Sequence, residues 1–378
     1  MLDSVVETLR WQFSEQTSLD TAEENYTSVL AQALGAKLRE LYAQDQSRGE
    51  EIQKLLTGTD AASLRGVLLA PETSTRVLWN HPGACDDRDI WHYLDDVLTI
   101  EQIRSGCARE DVAIRSFTSW SALGDFFLSE EGIIIAQTPI SGLVIDAASP
   151  AATCFKSSNA LDQSLQLSCY TDLSLKAKAL SCFQAAMDGL EAVDIRLAAF
   201  VRKFTRVANL IVDADGRFSS GSTGEYVGRS IFCNAHLPAV DAGILAEALV
   251  HESIHSLLYM HETCEPWVAS DDLRANDAVV VSPWTGVRLP LRNYLQACFV
   301  WFGLAEFWSM AHGSDAFPGK QCVARYKAAA RGFNSAPLED NIASFQVQIS
   351  AELLDKLRLM QSLRQDPDGR NNAKCANL

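Results

Sequence analysis

The pattern of apolar and polar positions changes character several times along the 378 residues, and each change marks a different kind of element. Residues 26–56 are rich in Ala, Leu, Glu, Gln and Lys, with few Gly and no Pro, which is the composition of helix. The run Asn80-His81-Pro82-Gly83-Ala84-Cys85-Asp86-Asp87 interrupts any regular element, and a further helical stretch opens at Asp89. Over 116–170 the texture turns to β-branched and aromatic runs with turn residues, including Gly132-Ile133-Ile134-Ile135-Ala136 and Gly142-Leu143-Val144-Ile145-Asp146, which predicts several strands.

A long helical stretch is expected over 173–205, followed by strands at 207–212 and 229–234 with a polar loop at 219–224 between them. A helix follows over 241–262, then an irregular segment to Pro290, an apolar helix over 291–310, two further helices and a polar tail after Arg364. These elements predict an α+β fold: a mixed sheet whose last strand, near Ile231, runs beside a zincin-like metal helix, with helical N-terminal and C-terminal regions. The corresponding division is a helical region 1–80, a catalytic domain 81–364 and a tail 365–378. No internal repeat is present.

A chain that is 47% hydrophobic has enough apolar surface for a full core. Its 48 Asp and Glu against 32 Lys and Arg, with no basic run interleaved with aromatics, argue against a nucleic-acid groove. The start, Met1 to Glu7, lacks the basic and apolar regions of a signal peptide, and no apolar run reaches bilayer length. The expectation is a cytosolic protein without a membrane partner. Ten cysteines are scattered without short paired spacing, which suggests small buried hydrophobes and neither a disulfide framework nor a thiolate zinc site.

The chemistry concentrates in His251-Glu252-Ser253-Ile254-His255. Leu245, Leu249, Leu257 and Leu258 recur at helical spacing around it, so histidines four positions apart project from one helix face, one turn apart, where a single divalent ion can bridge them. Glu252 lies next to the same open coordination position and would serve as the base toward metal-bound water in a hydrolase. A third ligand is needed. Glu262, Glu265 and His261 follow too far along the helix axis, whereas Glu306, on the later apolar helix, could reach the ion if that helix packs across; Gln296 and His312 are the other candidates. Arg288 and Arg292 precede or open the same helix and could form a cationic fork for a carboxylate.

Over roughly residues 205–310 the chain resembles the HExxH-motif peptide-modification proteins of ribosomal peptide natural-product pathways, a group that includes peptide β-hydroxylases dependent on iron and 2-oxoglutarate. The resemblance rests on three features in order: Tyr226-Val227-Gly228-Arg229-Ser230-Ile231, Leu249 to His255, and Ser282-Pro283-Trp284 followed by Arg288-Leu289-Pro290-Leu291 and Leu295-Gln296. It implies Fe(II) held by His251 and His255, with 2-oxoglutarate and O2 completing the shell. A histidine that the family often carries in the helix after the motif is replaced here, in the region 296–301. The resemblance therefore points to an oxygenase that hydroxylates a carbon of a peptide or peptide-derived substrate. The motif alone would by default favour a zinc peptidase with Glu252 as base and Glu306 as third ligand, and the helical N-terminal region or an exposed strand edge leaves room for a peptide-binding protein with a vestigial or structural metal site.

Overall fold

A computed structural model describes residues 2–11, 17–79, 89–106, 119–129, 132–153, 167–268 and 279–365. The interrupted run 80–88, the tail after Gln365, and Cys85, Cys107, Cys154 and Cys375 lie outside the described residues. The fold is α+β. The chain forms two compact units: a sheet unit of Glu23–Met187 and Val201–Asp241, and a helical unit of Met1–Ala22, Asp188–Phe200 and Ala242–Leu378.

In the sheet unit the expected strands form a mixed sheet in the order Ile145–Asp146, Val207–Asp213, Arg229–Cys233 and Ser219–Gly221, with Leu167–Ser168 paired to the far end of Val207–Asp213. The two pairings of the central strand with Ile145–Asp146 and Arg229–Cys233 are parallel; the other two pairings are antiparallel. Period-two alternation then sorts the side chains. The register sets Asp146 beside Asn209 and Val207 beside Arg229, so polar residues cluster at one end of one sheet face. Farther along that face Ile211, Ile231 and Cys233 join Ala152 in an apolar cluster. A separate antiparallel sheet joins Ser119–Trp120, Phe126–Ser129 and Gly132–Ile135. Aspartates cap the helices of this unit: Asp60 accepts from the backbone N–H groups of Ala62 and Ser63 ahead of Ala61–Leu68, and Asp89 from those of Trp91 and His92 ahead of Ile90–Arg104.

The helix expected over 173–205 is two helices, Leu173–Val193 and Ile195–Phe204. Asp194 separates them because its side chain accepts from the backbone N–H of Arg196 at 2.9 Å and so starts the second.

The helical unit is built around two long helices, Ala242–Cys264 with the histidine motif and Leu291–His312. Both are apolar around most of their circumference, as helices enclosed by others must be. Gly303 allows them to approach: a Cβ there would stand 2.7 Å from Ile254 Cδ1. Four buried tryptophans fill the unit, and each indole N–H has a partner: Trp11 the Gly303 carbonyl, Trp267 His261 Nδ1, Trp284 the Ala329 carbonyl and Trp308 the Glu247 carboxylate. Burying these rings therefore leaves no indole donor unsatisfied. The only strands described in this unit are Val279–Val281 and Arg288–Pro290, an antiparallel pair that leads directly into Leu291–His312.

Arg229–Cys233 belongs to the sheet unit and the helix after it to the helical unit, so neither unit by itself contains the expected pairing of a sheet edge with the metal helix. Among the described residues no helix is long and apolar enough to cross a membrane. The described cysteines are free thiols, with Cys233, Cys298 and Cys322 buried and Cys169, Cys182 and Cys264 partly so.

Candidate metal centre

The motif lies in the middle of Ala242–Cys264, where backbone hydrogen bonding is complete on both sides and the helix is least free to fray. The imidazoles of His251 and His255 stand one above the other, with ring centroids 5.0 Å apart and planes tilted by 52°. Tyr259, a further turn on, stacks on His255 at 5.8 Å and 20°. Glu252 is buried between them in sequence, at 3% exposure.

His255 has one ring nitrogen already engaged. Its Nδ1 lies 3.0 Å from Gln296 Oε1, and the Gln296 amide nitrogen donates to Glu262 Oε2 at 2.5 Å. Glu262 is in turn gripped by Arg292, whose Nε lies 2.9 Å from both carboxylate oxygens. The direction of this relay follows from the inventory of donors and acceptors. A carboxylate paired with a guanidinium can only accept, so the Gln296 nitrogen faces Glu262 and its carbonyl faces His255. That carbonyl can only accept, so the proton is on Nδ1 of His255 and the lone pair is on Nε2. This is the tautomer that a metal or a proton donor on the Nε2 side requires, and fixing it through an outer hydrogen bond is how ligating histidines are generally oriented.

Burial, and after it the neighbouring His251, lowers the His255 pKa to about 4, with the Glu252 charge and the Gln296 hydrogen bond opposing. The ring is therefore neutral at physiological pH, as a ligand must be.

The remaining expected residues are placed as follows. Glu306 is partly buried and its carboxylate is committed to Arg364 of the last helix, Ala351–Gln365. Burial pushes its pKa up and Arg364 opposes that shift. Arg292 is engaged by Glu262 and lies over the Tyr259 ring at 5.8 Å, so it supports the histidine relay and is not an open carboxylate fork. Arg288 is exposed on the short strand that leads into Leu291–His312. Glu262 lies, as expected, too far along the axis to share the shell, yet it reaches the site through Gln296. His261 is buried against Trp267; His312 is in the last turn of its helix. Glu265 stands 3.8 Å from His261 Nε2. Among the described residues no three His, Cys, Asp or Glu side chains gather closely enough to share an ion.

Sequence reasoning thus found the two imidazoles but gave Gln296, Glu262 and Arg292 other roles. The available signal for Glu262 was its position two turns beyond His255 on the same helix face. Gln296 and Arg292 had no such local signal, because the helix carrying them meets the motif helix only in three dimensions.

The α+β chain with a histidine pair and an outer hydrogen-bond relay has the donor chemistry of a two-imidazole metal site. No protein-family model matches the sequence, and no curated protein is similar to it, so the functional reading rests on this geometry and on the resemblance carried by the motifs.

Proposed function

We propose that this chain is a metal-dependent oxygenase that hydroxylates a carbon of a peptide or peptide-derived substrate, with Fe(II), 2-oxoglutarate and O2. The observation that carries the reading is the His255–Gln296–Glu262–Arg292 relay, which holds one imidazole of an i, i+4 pair in the ligating tautomer. The donor set fits: imidazoles suit iron, and a 2-oxo acid supplies two further oxygens of its own. When bound, the ion supplies dioxygen activation at the expense of 2-oxoglutarate, which leaves as succinate and carbon dioxide.

The protein's part is binding and orientation. His251 and His255 would bind through Nε2. Gln296 fixes the His255 ring plane, and Glu262 with Arg292 fixes Gln296. Glu252 places a carboxylate beside the pair, balancing charge there. Arg288, exposed at the entrance to the Leu291–His312 helix, is the remaining candidate for the distal carboxylate of 2-oxoglutarate.

The zinc peptidase reading uses the same pair with Glu252 as base. It requires a third protein ligand, and Glu306, the residue expected to provide it, is engaged by Arg364. That engagement favours the oxygenase, whose further donors come with its co-substrate.

The test is to purify the protein anaerobically, reconstitute it with Fe(II), and measure conversion of 2-oxoglutarate to succinate under O2. The expected result is turnover that requires iron and is lost in His251→Ala and His255→Ala. Tightly held zinc with peptide cleavage that disappears in Glu252→Gln would replace the oxygenase by the peptidase.

A further inference from the structure

The sheet unit holds a polar cavity of about 240 Å3, but it sets two cations, Arg76 and Arg229, among three carboxylates, Glu72, Asp96 and Asp146, and so favours no one charge of ligand. The open face of the motif helix is more specific. From Ala248 to His261 every residue is buried except His251, His255 and Tyr259. Each stands four positions from the next, so the three form one column with a helical turn between neighbours. The one stripe of this stretch that is not enclosed is therefore made of the two imidazoles and a phenol ring.

His255 is the middle member of the column. Its hydrogen bond to Gln296 fixes the place of Nδ1, but a single bond at the ring edge restrains a distance and leaves the ring able to rock about it. Histidine has that freedom because its outer side-chain torsion, between an sp3 and an sp2 carbon, has a broad energy well. A flat group against the ring face removes it. The Tyr259 ring is such a group, 5.8 Å from His255 between centroids and tilted by only 20°, within the range of offset stacking. His251, one turn back and tilted by 52°, does not cover the ring in this way. Tyr259 is held in turn. The Arg292 guanidinium carbon lies 5.8 Å from its centroid, and the same guanidinium grips Glu262, which accepts from Gln296. The two supports of His255 thus start from one side chain, in the ring plane through Glu262 and Gln296 and against the ring face through Tyr259.

We infer that Tyr259 is a positioning residue that sets the plane of the His255 imidazole, and that Arg292 locks this support to the Gln296 relay. This role rests on the metal reading proposed above, in which the atom so positioned is the ligating Nε2. The aromatic ring is the part that acts: phenylalanine presents the same plane to His255, whereas leucine fills volume without presenting one. A side chain that merely covered the histidines would be replaceable by either.

Two measurements on the full chain test this. In a Co(II) titration, Tyr259→Leu is expected to lower affinity about tenfold or more and to shift the visible bands, Tyr259→Phe to stay within about threefold of the wild-type chain, and Arg292→Met to lose at least as much as Tyr259→Leu. NMR relaxation of the metal-free protein labelled with 13C-histidine reads the ring itself: the order parameter of the His255 Cε1–H bond should fall in Tyr259→Leu and hold in Tyr259→Phe. A folded Tyr259→Leu protein with unchanged Co(II) affinity and an unchanged His255 order parameter overturns the assignment, as does a Tyr259→Phe protein as impaired as Tyr259→Leu. No Co(II) binding by the wild-type chain, with His255 still loosened in Tyr259→Leu, would remove the metal reading and uphold the positioning.

Discussion

The two polar regions differ in how their buried charges are satisfied. In the helical unit the side chains around His255 form a closed relay that ends in an Arg292–Glu262 pair, and what remains open is the Nε2 side of the imidazole. In the sheet unit Arg229 has a partner for one nitrogen and none for two others, and the opening is a cavity. The first arrangement fixes the tautomer and plane of an imidazole; the second leaves Arg229 Nε and one Nη, Asn209 Oδ1 and Ser119 Oγ without an internal partner. The comparison teaches that a buried polar group signals function through what is left over once its internal partners have been counted.

The largest expected effect is a pH dependence of stability that arises in the helical unit. His261, buried against Trp267, has its pKa lowered to about 4, first by burial. Its unfolded-state value is near 6.5, so between about pH 6.5 and pH 4 the unfolded chain binds more protons, and stability falls as the pH falls through that window. The full contribution is about 3 kcal/mol. Urea unfolding of the metal-free protein at pH 7 and pH 4.5 should show this loss, and His261→Gln should reduce it. An unchanged pH slope in that variant would assign the acid sensitivity elsewhere.

Next, breaking the relay should weaken metal binding. Gln296→Leu or Glu262→Gln is expected to lower metal affinity about 10–100-fold, the usual range for outer-shell partners. Equal metal affinity in Gln296→Leu would show that the relay does not orient His255.

Gly303→Ala tests how closely the helix carrying Gln296 must approach the motif helix. The added Cβ meets Ile254 and should cost about 1–3 kcal/mol, read as a lower melting temperature. The smallest effect is expected at Asp89, whose side chain caps the helix that carries Asp96 and Val97. Asp89→Ala should cost about 1 kcal/mol in unfolding experiments and leave the metal site untouched.

The same contrast explains what was legible in the sequence. The histidine pair is local: four residues on one helix specify one face, so spacing alone located it. The strands at 207–212 and 229–234 were equally readable, because β-branched runs between turn signals carry their own pattern. The relay was not, since Gln296 and Arg292 come from another helix and the approach of the two depends on Gly303 facing Ile254. Glu306 was assigned as a ligand because apolar neighbours suggested a helix packed across the motif; its pairing with Arg364 depends on the last helix, which has no signal near residue 306. The cavity was the least legible feature. Glu72, Asp96, Ser119, Asp146, Asn209 and Arg229 are spread over more than 150 residues and meet only once the sheet register is set.

On the proposed reading His251 and His255 hold a metal through nitrogens that the surrounding structure has left available. Titration of the metal-free protein with Co(II), followed by its visible absorption, tests it most directly. The expected result is one ion per chain with a spectrum characteristic of nitrogen ligation, absent in His251→Ala and in His255→Ala when both remain folded by circular dichroism. Binding that persists unchanged in both variants, or no binding by the wild-type chain, would contradict it.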